Sequence, residues 1–157
     1  MSNAYVWLKW AHIVSSTVLF GLGAGIAFFF MRAHRTGDVH VIAAVSRDVV
    51  LADALFTATA VVTQPVTGFA MIWVAGFPFT LPWIWISILL YVFIGCCWLP
   101  VVWLQIRMRD LAVAAAREGT ALPHAYYRYY RWWIGLGWPA FTGVLVVFWL
   151  MVAKPGF

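Results

Sequence analysis

Charged residues are scarce in this sequence of 157 residues. They make up only 10% of the chain, whereas hydrophobic residues make up 65% and the mean hydropathy is +0.91. A typical soluble domain has about 25% charged residues. A surface this poor in charge would not stay dispersed in water, so the composition excludes a soluble globule and indicates a protein whose main partner is the lipid bilayer.

Cysteine is almost as rare. Cys96 and Cys97 are adjacent and lie inside an apolar run, and no other cysteine occurs. Neighbouring cysteines rarely bridge each other, so we interpret them as small buried hydrophobes. Neither a CxxC nor a CxxCH motif is present. The sequence therefore suggests neither a zinc site nor covalently attached c-type haem.

The sequence also lacks a basic stripe of the kind that binds nucleic acid. Its net charge of +5 comes from arginines confined to residues 32–48 and 107–131. Arginine and lysine concentrate in the cytoplasmic loops of membrane proteins. We therefore expect no nucleic-acid partner. Both arginine-rich connections should be cytoplasmic, and the uncharged turn at 75–80 and both chain ends should be extracytoplasmic.

Four apolar runs are long enough to cross a hydrocarbon core, which takes about 20 helical residues. A membrane β-barrel would instead show alternating segments of about ten residues. Short links between the runs favour antiparallel neighbours. The sequence predicts an all-α membrane protein, an antiparallel four-transmembrane-helix bundle forming a single domain over 1–157. The predicted spans are about 5–31, 49–74, 81–106 and 132–153.

His12 is the most informative polar residue inside these runs. An ionisable group within a span is costly and often functional, and imidazole is a common axial ligand of haem. The alternative is a neutral histidine hydrogen-bonded to a neighbouring helix. In an antiparallel bundle, the distance from the helix ends places Gln64 one turn deeper than His12. The side chains expected at the level of His12 are Thr67, Met71, Ser87, Tyr91, Phe148 and Trp149.

Three further residues are candidates for a site around His12. No second histidine occurs in any span, so Met71 is the best available soft second ligand, although a methionine in a membrane helix more often only packs. Lys9 and Lys154 lie near the extracytoplasmic face in the predicted topology. They would either snorkel to the interface or pair with anionic groups such as haem propionates.

Two other features of the spans have both a structural and a functional interpretation. Gly21, Gly23 and Gly25 on the first helix either let another helix pack closely or leave room for a flat cofactor. Asp53 either forms a structural ion pair with an arginine near the cytoplasmic face, or takes part in a proton relay. For Asp53 the ion pair is the favoured interpretation, with Arg47, Arg107 and Arg131 as candidate partners.

Several segments resemble an uncharacterised family of predicted bacterial integral membrane proteins, and the resemblance extends over nearly the whole chain. It implies a location in the bacterial inner membrane and supplies no activity. The segments that carry it are WLKWAHIVSS, RTGD, QPVTG, WLPVVWLQIRMRDLA, GWPAF and LMVAKP.

A more distant resemblance is to HemJ-type protoporphyrinogen oxidases, which are small membrane proteins that carry b-type haem. It rests on Lys9-x-x-His12-Ile13 and Lys154-Pro155. It implies His12 as a haem ligand and Lys9 and Lys154 as functional positions. The HemJ pattern has further histidines; His34 lies near one of them, but the third span has none. The general expectation is therefore a haem-binding membrane protein.

The sequence leaves three functions open. The first is a haem b protein with a redox role, such as porphyrin oxidation or electron exchange with quinone. The second is a non-enzymatic accessory or structural subunit of a larger complex, which the scarcity of polar groups in the spans favours. The third is a small transporter or channel, which would need a polar pathway and assembly into a homo-oligomer.

Overall fold

The computed structural model describes residues 3–155, which are almost entirely helical. Two of the helical segments, Val39–Ala52 and Ala58–Ala75, are joined by a π-helical turn into one continuous rod. The described chain therefore contains four helices of membrane length. The predicted all-α four-helix architecture is confirmed. The segments are α1 (Asn3–Thr36), α2 (Val39–Ala52), the π-helical turn (Asp53–Thr57), α3 (Ala58–Ala75), α4 (Pro82–Glu118) and α5 (His124–Ala153).

The helices extend beyond the apolar runs that predict them. The α2–α3 rod begins at Val39 and α5 begins at His124, whereas α4 continues to Glu118. Hydropathy locates only the part of a helix that needs lipid, and backbone hydrogen bonding continues into the interface, where arginine and aromatic side chains are favourable. Residues 109–118 form the last part of α4.

Short links join antiparallel helices. Glycines at positive φ, among them Gly37 and Gly119, are the first residues of the links. A residue in this left-handed conformation commonly ends a helix. Asp38 caps α2, because its Oδ1 accepts hydrogen bonds from the backbone N–H groups of His40 (2.8 Å) and Val41 (3.3 Å). The 76–81 turn and the described chain ends share one side of the bundle, here called the terminal side. The opposite side is called the arginine-rich side.

The helices pack in chain order. The α2–α3 rod lies between α1 and α4, and α4 packs along α5, but α1 and α5 meet at few places. Midway along α1, Phe20 stacks on Phe141, with ring centroids 4.9 Å apart. Towards the arginine-rich side Phe30 packs edge-on against Trp133, at 5.2 Å. The seam between α1 and α5 is therefore bridged by aromatic pairs rather than closely packed along its length.

The tightest core lies in the arginine-rich half. Phe30, Ile42, Met108 and Tyr126 are all fully buried there. In the same region the His34 ring stacks on Tyr130, with centroids 3.7 Å apart. This half holds the bundle together, whereas the terminal half is more open.

The glycines of α1 do not act as a packing motif within the described chain. A Cβ built on Gly21, Gly23 or Gly25 would have no neighbouring heavy atom within 4 Å. The close-packing interpretation is thus wrong for residues 3–155. Close packing occurs instead at Gly143 on α5, where a Cβ would lie 2.8 Å from Cγ1 of Ile94 on α4.

We expect Gly143→Ala to destabilise the bundle by about 1–3 kcal/mol, the usual cost of overpacking a filled contact. The measurement is the midpoint of unfolding in detergent, with circular dichroism as the signal. Gly137→Ala is the matched control, since a Cβ there meets nothing within 4 Å. Ile94→Ala should reduce the effect of Gly143→Ala in a double-mutant cycle. Equal midpoints for Gly143→Ala and Gly137→Ala would contradict this account of the contact.

Candidate functional site

A cavity of about 520 Å³ lies in the terminal half of the bundle. Small-molecule sites typically have volumes of about 300–1,000 Å³. The lining comes from α1, α3, α4 and α5 and is mostly apolar. All four residues singled out from the sequence, Lys9, His12, Met71 and Lys154, line this cavity. The structure therefore brings them to one place.

His12 fits against α3 because residue 68 has no side chain. A Cβ at Gly68 would lie 3.5 Å from Cε1 of the His12 ring. The imidazole can therefore lie directly against the α3 backbone and still border the cavity. Alanine would make an ordinary contact here, whereas a larger side chain would displace the ring.

The hydrogen bonds of His12 indicate which ring nitrogen carries the proton. Nδ1 lies 2.8 Å from Oγ1 of Thr67. The Thr67 hydroxyl donates to the backbone carbonyl of Thr63 at 2.7 Å, so its oxygen accepts from Nδ1–H. We assign the tautomer from this network. The lone pair is then on Nε2, the arrangement found in metal-ligating histidines, whose other N–H is held by a partner.

Hydrogen bonds from Gln64 hold α1 against α3 next to the His12 ring. The Gln64 amide donates to the backbone carbonyl of His12 at 2.9 Å and also to Oγ of Ser15. Ser15 in turn donates to the His12 carbonyl at 3.1 Å. Hydrogen bonds of this kind between membrane helices hold their register. They keep the imidazole at a defined position in the cavity wall.

The depth predicted for His12 is confirmed on α3 and α4, whereas on α5 the two residues expected at this level, Phe148 and Trp149, do not line the cavity. Thr67 bonds the ring, and Ser87 and Tyr91 line the cavity. Phe148 instead packs against Phe20, at 5.5 Å between centroids. Trp149 is exposed on the bundle surface. Loop lengths determine the depth of a residue, but its direction depends on helix rotation, and α5 presents Val147 and Met151 to the cavity.

Two cations border this cavity near the terminal side. Lys154 caps α5 in the left-handed conformation, and its Nζ lies 5.5 Å from the ring centroid of Trp83 and 5.9 Å from that of Phe77. Such cation–π contacts stabilise a lysine at an aromatic surface. Lys9 is exposed, one turn before His12. Both ammonium groups can snorkel, and both can also reach an anionic group at the cavity entrance.

The predicted ion pair of Asp53 with an arginine is wrong. In the part of the chain that the structure describes, the only salt bridge joins Arg109 to Asp110. Asp53 is only 5% exposed. With its amide oriented to suit both neighbours, Gln105 donates to Oδ2 of Asp53 at 2.6 Å and accepts from Nε1 of Trp133 at 3.2 Å. The carboxyl group therefore points into the bundle, where no arginine reaches it.

A comparison with protein families identifies the chain. The family model described as predicted integral membrane protein (DUF2269) matches residues 6–155. The chain belongs to this family. The match confirms the resemblance to a family of predicted integral membrane proteins. No curated protein and no solved structure matches the chain. The likeness to HemJ-type oxidases gains no support from these comparisons and stays a prediction.

Sequence reasoning missed one polar cluster of this DUF2269 protein, formed by Asp53, Thr57 and Gln105. A signal was present, because residues four apart on a helix share a face and Asp53 and Thr57 have this spacing. Gln105 is a further amide inside an apolar run. Across residues 3–155, no three His, Cys, Asp or Glu side chains gather as a metal site.

Proposed function

We propose that this DUF2269 protein binds haem b in the cavity bordered by His12 and has a redox role in the membrane. One observation carries the proposal: His12 Nδ1 is held by Thr67, which leaves Nε2 available at the wall of a cavity of about 520 Å³. A neutral imidazole prepared in this way is a suitable axial ligand for haem iron.

The other lining residues fit the same ligand. Met71 lies one turn beyond Thr67 on α3, and its thioether is a candidate second ligand. Lys9 and Lys154 would neutralise the two propionates, and the apolar walls would exclude water from the macrocycle. When bound, haem b supplies a one-electron redox centre. The proposed partner is a porphyrin or a quinone, and the protein acts as a monomer or a homo-oligomer.

The proposed location is the bacterial inner membrane with both termini extracytoplasmic. The arginines of the 32–48 and 107–131 segments support this orientation through the positive-inside rule. The haem would then lie near the extracytoplasmic face.

The test is a titration of detergent-purified protein with haemin, monitored by absorption spectroscopy. We expect a saturable Soret band at one haem per chain. Changing Lys9 or Lys154 to glutamine should weaken binding about two- to fivefold, the range for exposed ion pairs. The same variants should bind haemin dimethyl ester as the parent protein does. Arg117→Gln on the opposite side is the control. A haemin spectrum that does not change when the protein is added overturns the proposal.

A further inference from the structure

A second cavity, of about 330 Å³, lies between α1, α4 and α5. It is separate from the cavity of His12 and almost wholly apolar. Its polar lining is the cluster of Asp53, Thr57 and Gln105. All three side chains are at least nine-tenths buried, with exposures of 5%, 4% and 3%. An ionisable side chain within a membrane span is costly and is often functional.

The π-helical turn leaves this cluster incomplete. In the turn the N–H of Ala58 bonds to the carbonyl of Asp53, five residues back. Thr59, Thr63 and Thr67 on α3 donate their hydroxyls to carbonyls of the preceding turn. Oγ1 of Thr57 is buried and makes no hydrogen bond of normal geometry among residues 3–155, although it lies close to the Asp53 carboxyl. Such turns are frequent at functional sites, and an unpartnered buried hydroxyl is costly unless a ligand satisfies it.

The cavity is reached from the lipid-facing surface of the bundle. Its walls include Phe28 and Trp138, whose side chains are exposed on that surface. Small residues on α1 and α5 keep the seam between these helices open, and aromatic rings surround the inner part. The small residues are Gly23, Ala24, Ala27, Gly137 and Ala140, and the aromatic residues are Phe20, Trp98, Trp133 and Phe141. A ligand that partitions into lipid can therefore enter from the side.

We propose that this cavity binds the ring of a lipid-borne hydroquinone. One ring hydroxyl would donate to a carboxyl oxygen of Asp53 and accept a hydrogen bond from Thr57 Oγ1. A hydroxyl group both donates and accepts, whereas an ammonium group only donates and would offer no acceptor to the O–H of Thr57. The aromatic walls favour a flat ring through stacked or edge-on contacts. The proposal concerns binding and includes no electron transfer. It does not depend on haem, because the two cavities are lined by different residues.

The experiment is isothermal titration calorimetry of the full-length protein in nanodiscs, under reducing and oxygen-free conditions. The probes are decylbenzohydroquinone, its dimethyl ether and decylamine. The hydroquinone should bind at one site per chain. The ether, which cannot donate to Asp53, should bind about two- to tenfold more weakly, as expected for the loss of a hydrogen bond. Decylamine should bind more weakly than the hydroquinone.

Variants separate the two hydrogen bonds. Asp53→Asn should weaken the hydroquinone about two- to tenfold and leave the ether unchanged. Thr57→Val should weaken both about two- to tenfold, because both carry an acceptor oxygen. Thr59→Val is the matched control, since Thr59 is exposed and its hydroxyl bonds only its own helix. If Asp53→Asn does not fold, Thr57→Val and the ether still decide the question.

The proposal is overturned if the ether and the hydroquinone bind equally, or if Thr57→Val behaves like Thr59→Val. Binding of decylamine that is tighter than binding of the hydroquinone also overturns the proposal and would identify a cation site. His12→Ala should retain hydroquinone binding. Failure of the haem proposal and failure of this one are therefore distinguishable.

Discussion

Replacing His12 by alanine is expected to abolish the shifted Soret band that marks haem bound in the large cavity. His12 is the only histidine that borders the large cavity in the part of the chain described, so no second imidazole there can take its place. The fold should survive, because Gln64 bonds the backbone carbonyl of residue 12, which the substitution keeps. Absorption titration with haemin measures the effect. His12→Gly should recover a Soret band when imidazole is added, since the free ligand can occupy the vacated space.

His34→Ala is the control for this result. His34 also lies on α1, but it stacks on Tyr130 in the arginine-rich half, far along the helix from the cavity. It should keep the full Soret band. A band of unchanged position and intensity in His12→Ala would show that the iron is held elsewhere, and the proposed site would have to be abandoned.

Thr67→Val is expected to weaken haem binding by about 10- to 100-fold, the range usually seen when the partner of a ligating histidine is removed. Valine keeps the shape of threonine but cannot accept the hydrogen bond from Nδ1–H, so the ring loses its fixed tautomer and orientation. The rate of haem transfer to apomyoglobin measures the loss. Thr67→Ser should bind nearly as well as the parent protein, because its hydroxyl can bond in the same way.

Thr63→Val is the matched control for Thr67→Val. The Thr63 hydroxyl donates to the carbonyl of Thr59 at 2.8 Å and does not contact the ring. Its backbone carbonyl, which accepts from Thr67, is unchanged by the substitution. Equal haem transfer rates for the two valine variants would mean that Thr67 does not position His12.

The neighbourhood of His12 was partly predictable from the sequence. A helix rises 1.5 Å per residue, and short links place antiparallel helices in a narrow range of registers. Depth alone therefore put Thr67 beside His12 and Gln64 one turn deeper, and the hydrogen bonds confirm both. Phe148 and Trp149, which were expected at the same depth, do not line the cavity. Depth does not determine the rotation of α5, which depends on how it packs along α4.

Asp53 shows a different limit of sequence reasoning. Arginines occur near it in the chain, and charge attraction suggested a pair. The rod instead directs Asp53 towards Gln105, which lies far away in the sequence, and only the packing of the α2–α3 rod against α4 brings the two together. The glycines of α1 failed as a packing signal for a similar reason, since α1 and α5 remain apart along most of their seam.

The sequence by itself determined that this DUF2269 protein lies in lipid and that its secondary structure is helical. Long apolar runs with little charge require lipid, and in lipid the backbone must satisfy its own hydrogen bonds, which a helix does locally. Only the tertiary structure decided which helix faces meet, because several rotations bury similar apolar area in a bilayer. Small steric and polar contacts select among them: the imidazole against Gly68, the amide of Gln64 on α1, and the carboxyl of Asp53 on Gln105.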